Sequence, residues 1–131
     1  MTEVLILRTN FTHEVKRINV DCEILAKELH CNWVERLVTH SGYTENGHTK
    51  HLQCWADEEG FCTQQPQNPY APLLVKLGQY ITFGVQLYGD VVVHNTNSKH
   101  KHHIDISQYI VDLVRRFETS DNHDRFLSEL K

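Results

Sequence analysis

All three prolines of the chain, Pro66, Pro69 and Pro72, fall in one short stretch, with Asn68 between the first two. Proline gives no amide hydrogen to a strand ladder and fixes its own φ, so this stretch holds the backbone away from any central strand. It divides the chain. Upstream, the apolar pattern is that of strands with one short helix; downstream, helical spacing dominates.

Upstream, Val4-Leu5-Ile6-Leu7 reads as a buried strand, and residues 15–20 alternate as its neighbour through a turn at Thr9-Asn10. Asp21 is placed to cap a helix from Cys22 to about His30, with Cys22, Leu25 and Leu29 on one face. Residues 33–38 and 51–56 read as a third and fourth strand, an antiparallel pair around a polar loop at 40–50. Asp57-Glu58-Glu59-Gly60 reads as a turn in which Gly60 supplies a positive φ.

Downstream, a helix is expected from Pro72 through Leu73, Leu74 and Leu77 to Gly78, whereas residues 80–85 fit helix or strand. Gly89 leads into a strand at Asp90-Val91-Val92-Val93, followed by a polar loop at 94–103. Ile110, Leu113, Val114 and Phe117 fall at i, i+3, i+4 and i+7 and mark the longest helix. Ser120 or Asp121 opens a last short helix carrying Phe126, Leu127 and Leu130. This order predicts one α+β domain over 1–131, with a largely antiparallel sheet and amphipathic C-terminal helices from 104 onward.

Composition agrees with a folded domain. The 131 residues are 40% hydrophobic and 23% charged, enough apolar material for a core without metals or disulfides. Thirteen basic against seventeen acidic side chains leave −4, which argues against a nucleic-acid binder. The apolar run at the start is too short for a secretory signal, which takes about 7–15 apolar residues, or for a membrane helix of about 20. A cytoplasmic protein without membrane contact is therefore expected. Cys22, Cys31, Cys54 and Cys62 form no CxxC pair and read as free thiols, with two disulfides as the open alternative.

Several residues have the chemistry of a site. Asp57, Glu58 and Glu59 offer oxygen ligands or a general acid and base, or are a solvated turn. Asn68 both donates and accepts and can pair with that turn. Ten histidines are present. Those at 48–54 sit near Cys54 without zinc-finger spacing, and on one strand His51 and Cys54 face opposite sides. Residues 99–103 read as a solvated basic loop. His94-Asn95-Thr96 resembles the His-x-Thr element of two-histidine phosphoesterases, but a second such element is absent. Cys31 follows His30, yet adjacent side chains diverge. Arg115-Arg116 reads as the outer side of a helix. Trp33, Trp55, Tyr70, Tyr80 and Tyr88 are either core or a stacking pocket for a base. No cofactor and no metal site is assigned.

Asp57-Glu58-Glu59-Gly60, then Pro66 and Asn68, then Gly89-Asp90-Val91-Val92-Val93 resemble a family of small proteins of unknown function encoded largely by phages, prophages and mobile elements. The resemblance spans about residues 3–96. An Arg commonly follows the asparagine in that family, and here Pro69 takes its place. The resemblance implies a fold and a phage-like setting in the host cytoplasm, and no reaction.

The expectation is a stoichiometric binding protein, a host-takeover or anti-defence factor that engages a host or defence protein or sequesters a nucleotide-like ligand. Its expected surface includes Asp57, Glu58, Glu59, Asn68, Tyr70 and His94. One alternative is a small hydrolase or phosphoesterase using His94 with the carboxylates at 57–59, with or without a metal. Another is a structural or assembly subunit. The C-terminal helices, with Phe117, Phe126, Leu127 and Leu130, are a candidate homodimer interface.

Overall fold

The computed structural model describes residues 1–37, 42–60, 63–77, 87–99 and 101–130. In chain order the elements are β1 (Thr2–Leu7), β2 (His13–Ile18), α1 (Cys22–Glu28), β3 (Val34–Leu37), β4 (Tyr43–Glu45), β5 (His48–Asp57), α2 (Ala71–Lys76), β6 (Val91–Thr96), β7 (His103–Ile104), α3 (Gln108–Thr119) and α4 (His123–Glu129). The strands lie in the order β2-β1-β6-β5-β3, with β4 paired to β5 and β7 to β6. Every pairing is antiparallel. The fold is thus α+β, as the element order predicts.

β1 and β6 are continuous apolar runs because both faces of the sheet are covered where they lie; Val4 to Leu7 and Val91 to Val93 are all buried. Leu5, Leu7, Leu52, Cys54 and Val93 face the main core with α2 and α3, which contribute Leu73, Leu74, Ile110 and Phe117. Val4, Ile6, Ile18 and Val92 face the other way, toward Leu25 of α1 and Leu29 at its C-cap. The register that sets Cys54 opposite Val93 and Trp55 opposite Val92 places Trp55 on the α1 side.

Several expectations need correction. The segment at 40–50 is not all loop: Asn46 and Gly47 both have positive φ, 52° and 77°, and close a hairpin between β4 and β5. Gly60 is not among the positive-φ residues. A Cβ there would lie 3.1 Å from both the Cβ and the carbonyl oxygen of Tyr88, so close approach is what requires glycine. β6 continues to Thr96, where a loop is expected from His94. α2 starts at Ala71, which leaves Pro72 in the first turn, where no amide is needed. Asn122, rather than Ser120 or Asp121, caps α4 by accepting from the Arg125 amide at 3.0 Å. Cys22 is exposed instead of sharing the buried face of Leu25 and Leu29.

The last two helices belong to the same core as the sheet. Phe117 is buried in it, and Phe126, Leu127 and Leu130 pack against it, half-buried. Much of the apolar area read as a dimer face is therefore covered by the chain itself. Residues 80–85, with Tyr80, and Cys62 lie outside the described residues; Cys22, Cys31 and Cys54 are free thiols. Among the described residues no helix is long and apolar enough to cross a membrane.

Candidate functional site

The acidic turn is built at the end of β5. Asp57 is buried, and its Oδ1 accepts from the Glu59 amide at 2.9 Å while Oδ2 accepts from Gln65 Nε2 at 2.5 Å. Those bonds shape the turn and leave Glu58 and Glu59 exposed at its tip. The three carboxylates do not converge. Among the described residues, no group of three or more His, Cys, Asp or Glu side chains is placed to hold a metal ion.

Asn68 has its bonding capacity filled from inside. Its Nδ2 donates to the carbonyls of Leu7 and Gly89, both at 3.0 Å, and its Oδ1 accepts from the Tyr70 amide at 2.9 Å. It ties the proline-rich stretch to the ends of β1 and the 87–89 segment, where Asn68 N–H also donates to the Leu87 carbonyl. The acidic turn connects to it indirectly: Gln65, bonded to Asp57, packs so tightly on Gly89 that a Cβ there would lie 2.2 Å from Gln65 Oε1. Tyr70 is buried on the main-core side beside Phe11, and its hydroxyl donates to Glu118. Glu118 also faces His13, with Nδ1 2.7 Å from Oε2. Nothing in the sequence links these three residues, because they come from distant elements.

His94 is fully buried on the α1 side of β6. The Trp55 indole donates to its Nε2 at 2.9 Å, which places the ring proton on Nδ1, 2.8 Å from the Asn95 carbonyl. Burial lowers its pKa to about 4, and the nearby His103 disfavours the charge further. At neutral pH it is a neutral, saturated ring with no nitrogen open to a substrate. His94, Tyr70 and the acidic turn thus lie in three different places, and the grooves beside α1 and α2 among the described residues are lined by none of them.

The feature that sequence reading passed over is the groove beside α1. The helix ends in a six-residue Schellman turn: the Cys31 amide donates to the Ala26 carbonyl at 2.9 Å and the His30 amide to Lys27 at 3.2 Å. His30 takes the left-handed conformation, φ 53°, usually given to glycine. The chain therefore turns sharply and presents Asn32 and Trp33 outward before β3 begins. Trp33 is 64% exposed. An open groove of about 820 Å³ runs between α1 and this segment, and its lining mixes Ala26, Cys31, Trp33 and Val34 with the charged Glu23 and Lys27.

The acidic turn borders that groove, since the Glu58 amide donates to the Trp33 carbonyl at 2.9 Å. Burial, reinforced by the charges of Asp57 and Glu59, raises the Cys31 pKa, so its thiol stays protonated and donates weakly to the Trp33 carbonyl. Glu35 on β3 is also raised, by burial and then by Glu58 and Asp57. An exposed indole at an open groove of mixed apolar and charged lining, with the acidic turn held beside it, has the make-up of a docking surface, and the protonated Cys31 thiol is no poised nucleophile. The sequence signal for it was Trp33 itself, which stands just past the turn that ends α1.

No family model, curated protein or solved structure matches the chain.

Proposed function

We propose that the protein acts by stoichiometric binding of a protein partner, docked on the face formed by α1, Trp33 and the Glu58-Glu59 turn tip. The observation that carries this reading is Trp33, an indole 64% exposed at the edge of an open groove. Trp is the residue type most enriched among interface anchors, and a chain has little reason to leave one bare for its own stability. The resemblance to phage and mobile-element proteins supplies the setting, an accessory factor in a host cytoplasm that engages a host or defence protein. The hydrolase reading finds less support, because both ring nitrogens of His94 are already bonded and the ring is buried and neutral.

The test is parallel affinity capture from a bacterial lysate with the wild-type protein, Trp33→Ala and, as an opposite-face control, Val75→Ala. Val75 is exposed on α2. The expected outcome is one partner retained in stoichiometric amount by wild type and Val75→Ala. Trp33→Ala should lose about 2 kcal/mol, a weakening of roughly 30-fold. Equal retention by all three proteins contradicts the reading.

A further inference from the structure

We infer that β2 is a self-pairing edge: its open side takes the β2 strand of a second copy of this chain, antiparallel, with Val15 meeting Val15 on a two-fold axis. This surface lies at the opposite edge of the sheet from β3 and Trp33, and it is independent of the docking role proposed above.

β2 ends the strand order β2-β1-β6-β5-β3, and its register with β1 runs unbroken from Thr2 opposite Ile18 to Leu7 opposite His13. Among the described residues, no backbone hydrogen bond outside that ladder involves residues 13–18. The outer row of amides and carbonyls therefore faces no strand, and no proline, glycine or bulge interrupts it. Glu14, Val15, Lys16 and Arg17 are all exposed.

A lysine on an edge strand ordinarily discourages pairing. Here the charges select one register instead. Glu14, Lys16 and Ile18 stand opposite Ile6, Val4 and Thr2 and share the α1 side of the sheet; Val15, opposite Leu5, lies on the other side. Residues that oppose one another in a continuous sheet share a face, so only registers of this parity are allowed. With Val15 on the axis, Glu14 of each copy falls opposite Lys16 of the other. Moving the axis to Glu14 or to Lys16 sets that residue against its own like charge. Both side chains are about half-exposed and are held from behind, Glu14 by Arg8 and Lys16 by Glu28, each at 3.1 Å. Pairing thus closes two alternating rows, Arg8–Glu14–Lys16–Glu28, across the axis, a network where an isolated surface pair would add little. On the other side Val15, 39% exposed, is covered by its counterpart, and Arg17 falls opposite His13, whose ring is held by Glu118. β3, at the far edge, is not built this way: full overlap of its four residues sets Glu35 or Arg36 against itself. The axis is normal to the sheet, so the dimer carries both α1 helices on one side.

The experiment is sedimentation velocity of the full chain over a wide concentration range. It compares wild type, Glu14→Lys, Lys16→Glu and an equimolar mixture of these two variants. Wild type should show a concentration-dependent dimer. Each reversal alone sets like charges opposite at both contacts and should raise the dimer Kd about tenfold or more. In the mixture unlike charges face again, and Kd should return to within about threefold of wild type. Recovery on mixing is a result that damage to either fold would not give. Val15→Lys, at an exposed position, sets two like charges on the axis and should abolish the dimer by itself, whereas Trp33→Ala should dimerise as wild type does. A wild-type chain that is monomeric at every concentration overturns the inference. So does a dimer that withstands the reversals and Val15→Lys, one lost in Trp33→Ala, or a mixture that stays dissociated. The docking role is judged separately, by the dependence of lysate capture on Trp33.

Discussion

His94 and Asn68 are polar side chains that the sheet has absorbed, and each makes a measurable prediction. His94 is neutral in the fold with its pKa lowered from 6.5 to about 4. The unfolded chain therefore binds a proton that the native state refuses between those values. The stability due to the neutral ring is complete above pH 6.5 and is lost as pH falls toward 4, by about 3 kcal/mol. Urea midpoints measured from pH 7 to pH 4 should fall accordingly, and His94→Gln, which can still accept from Trp55, should flatten that slope. An unchanged slope in the variant would show that other groups carry the acid sensitivity. Asn68→Ala removes two donors from the buried carbonyls of Leu7 and Gly89 and should cost about 3 kcal/mol in the same measurement. A loss below about 1 kcal/mol would mean that the proline-rich stretch is held by its backbone bonds alone. Both residues were legible as unusual, but sequence cannot distinguish a saturated polar group from an available one. The difference lies in partners such as Trp55, which is 39 residues from His94.

At the scale of elements, what was legible had a local cause. Asp21 caps α1, as expected, by accepting from the Ile24 amide at 2.9 Å; the Ser107 cap of α3, which accepts from the Tyr109 amide, was not read from the sequence. The apolar spacing of α3 places Ile110, Leu113, Val114 and Phe117 in the core as expected. β4 was hidden because it has only three residues, of which only Tyr43 is buried. The Asn46-Gly47 pair was the available signal for its hairpin. The end of β6 was hidden for another reason: His94, Asn95 and Thr96 are polar, yet buried through bonds to Trp55, to Tyr43 and Ser107, and to the His102 carbonyl. The turn after α1 makes a prediction of its own. His30 holds a left-handed conformation that strains any residue with a Cβ and points its side chain to solvent. His30→Gly should raise thermal stability by up to about 1 kcal/mol and leave Trp33 exposed. A drop in stability would show that the imidazole makes contacts that outweigh the strain.

At the scale of the whole molecule, the sheet divides the chain into two unequal faces. One carries α2, α3 and α4 over the main core; the other carries α1 alone, with the Trp33 groove at its flank. The residues singled out from sequence scatter across this arrangement: Tyr70 on the covered face, His94 under the other, Glu58 and Glu59 at the rim. Of these, only the turn that carries Glu58 and Glu59 stands beside the groove, through a backbone bond from the Glu58 amide to the Trp33 carbonyl that no residue spacing announces. The central claim, that this flank is where a partner docks, is tested most directly by site-resolved photo-cross-linking. A benzophenone amino acid is placed at Lys27, in the groove, or at Val75, on the opposite face. The account predicts a covalent adduct from position 27 that disappears when Trp33→Ala is added, and none from position 75. An adduct from position 75 of equal yield, or one at position 27 indifferent to Trp33→Ala, would contradict it.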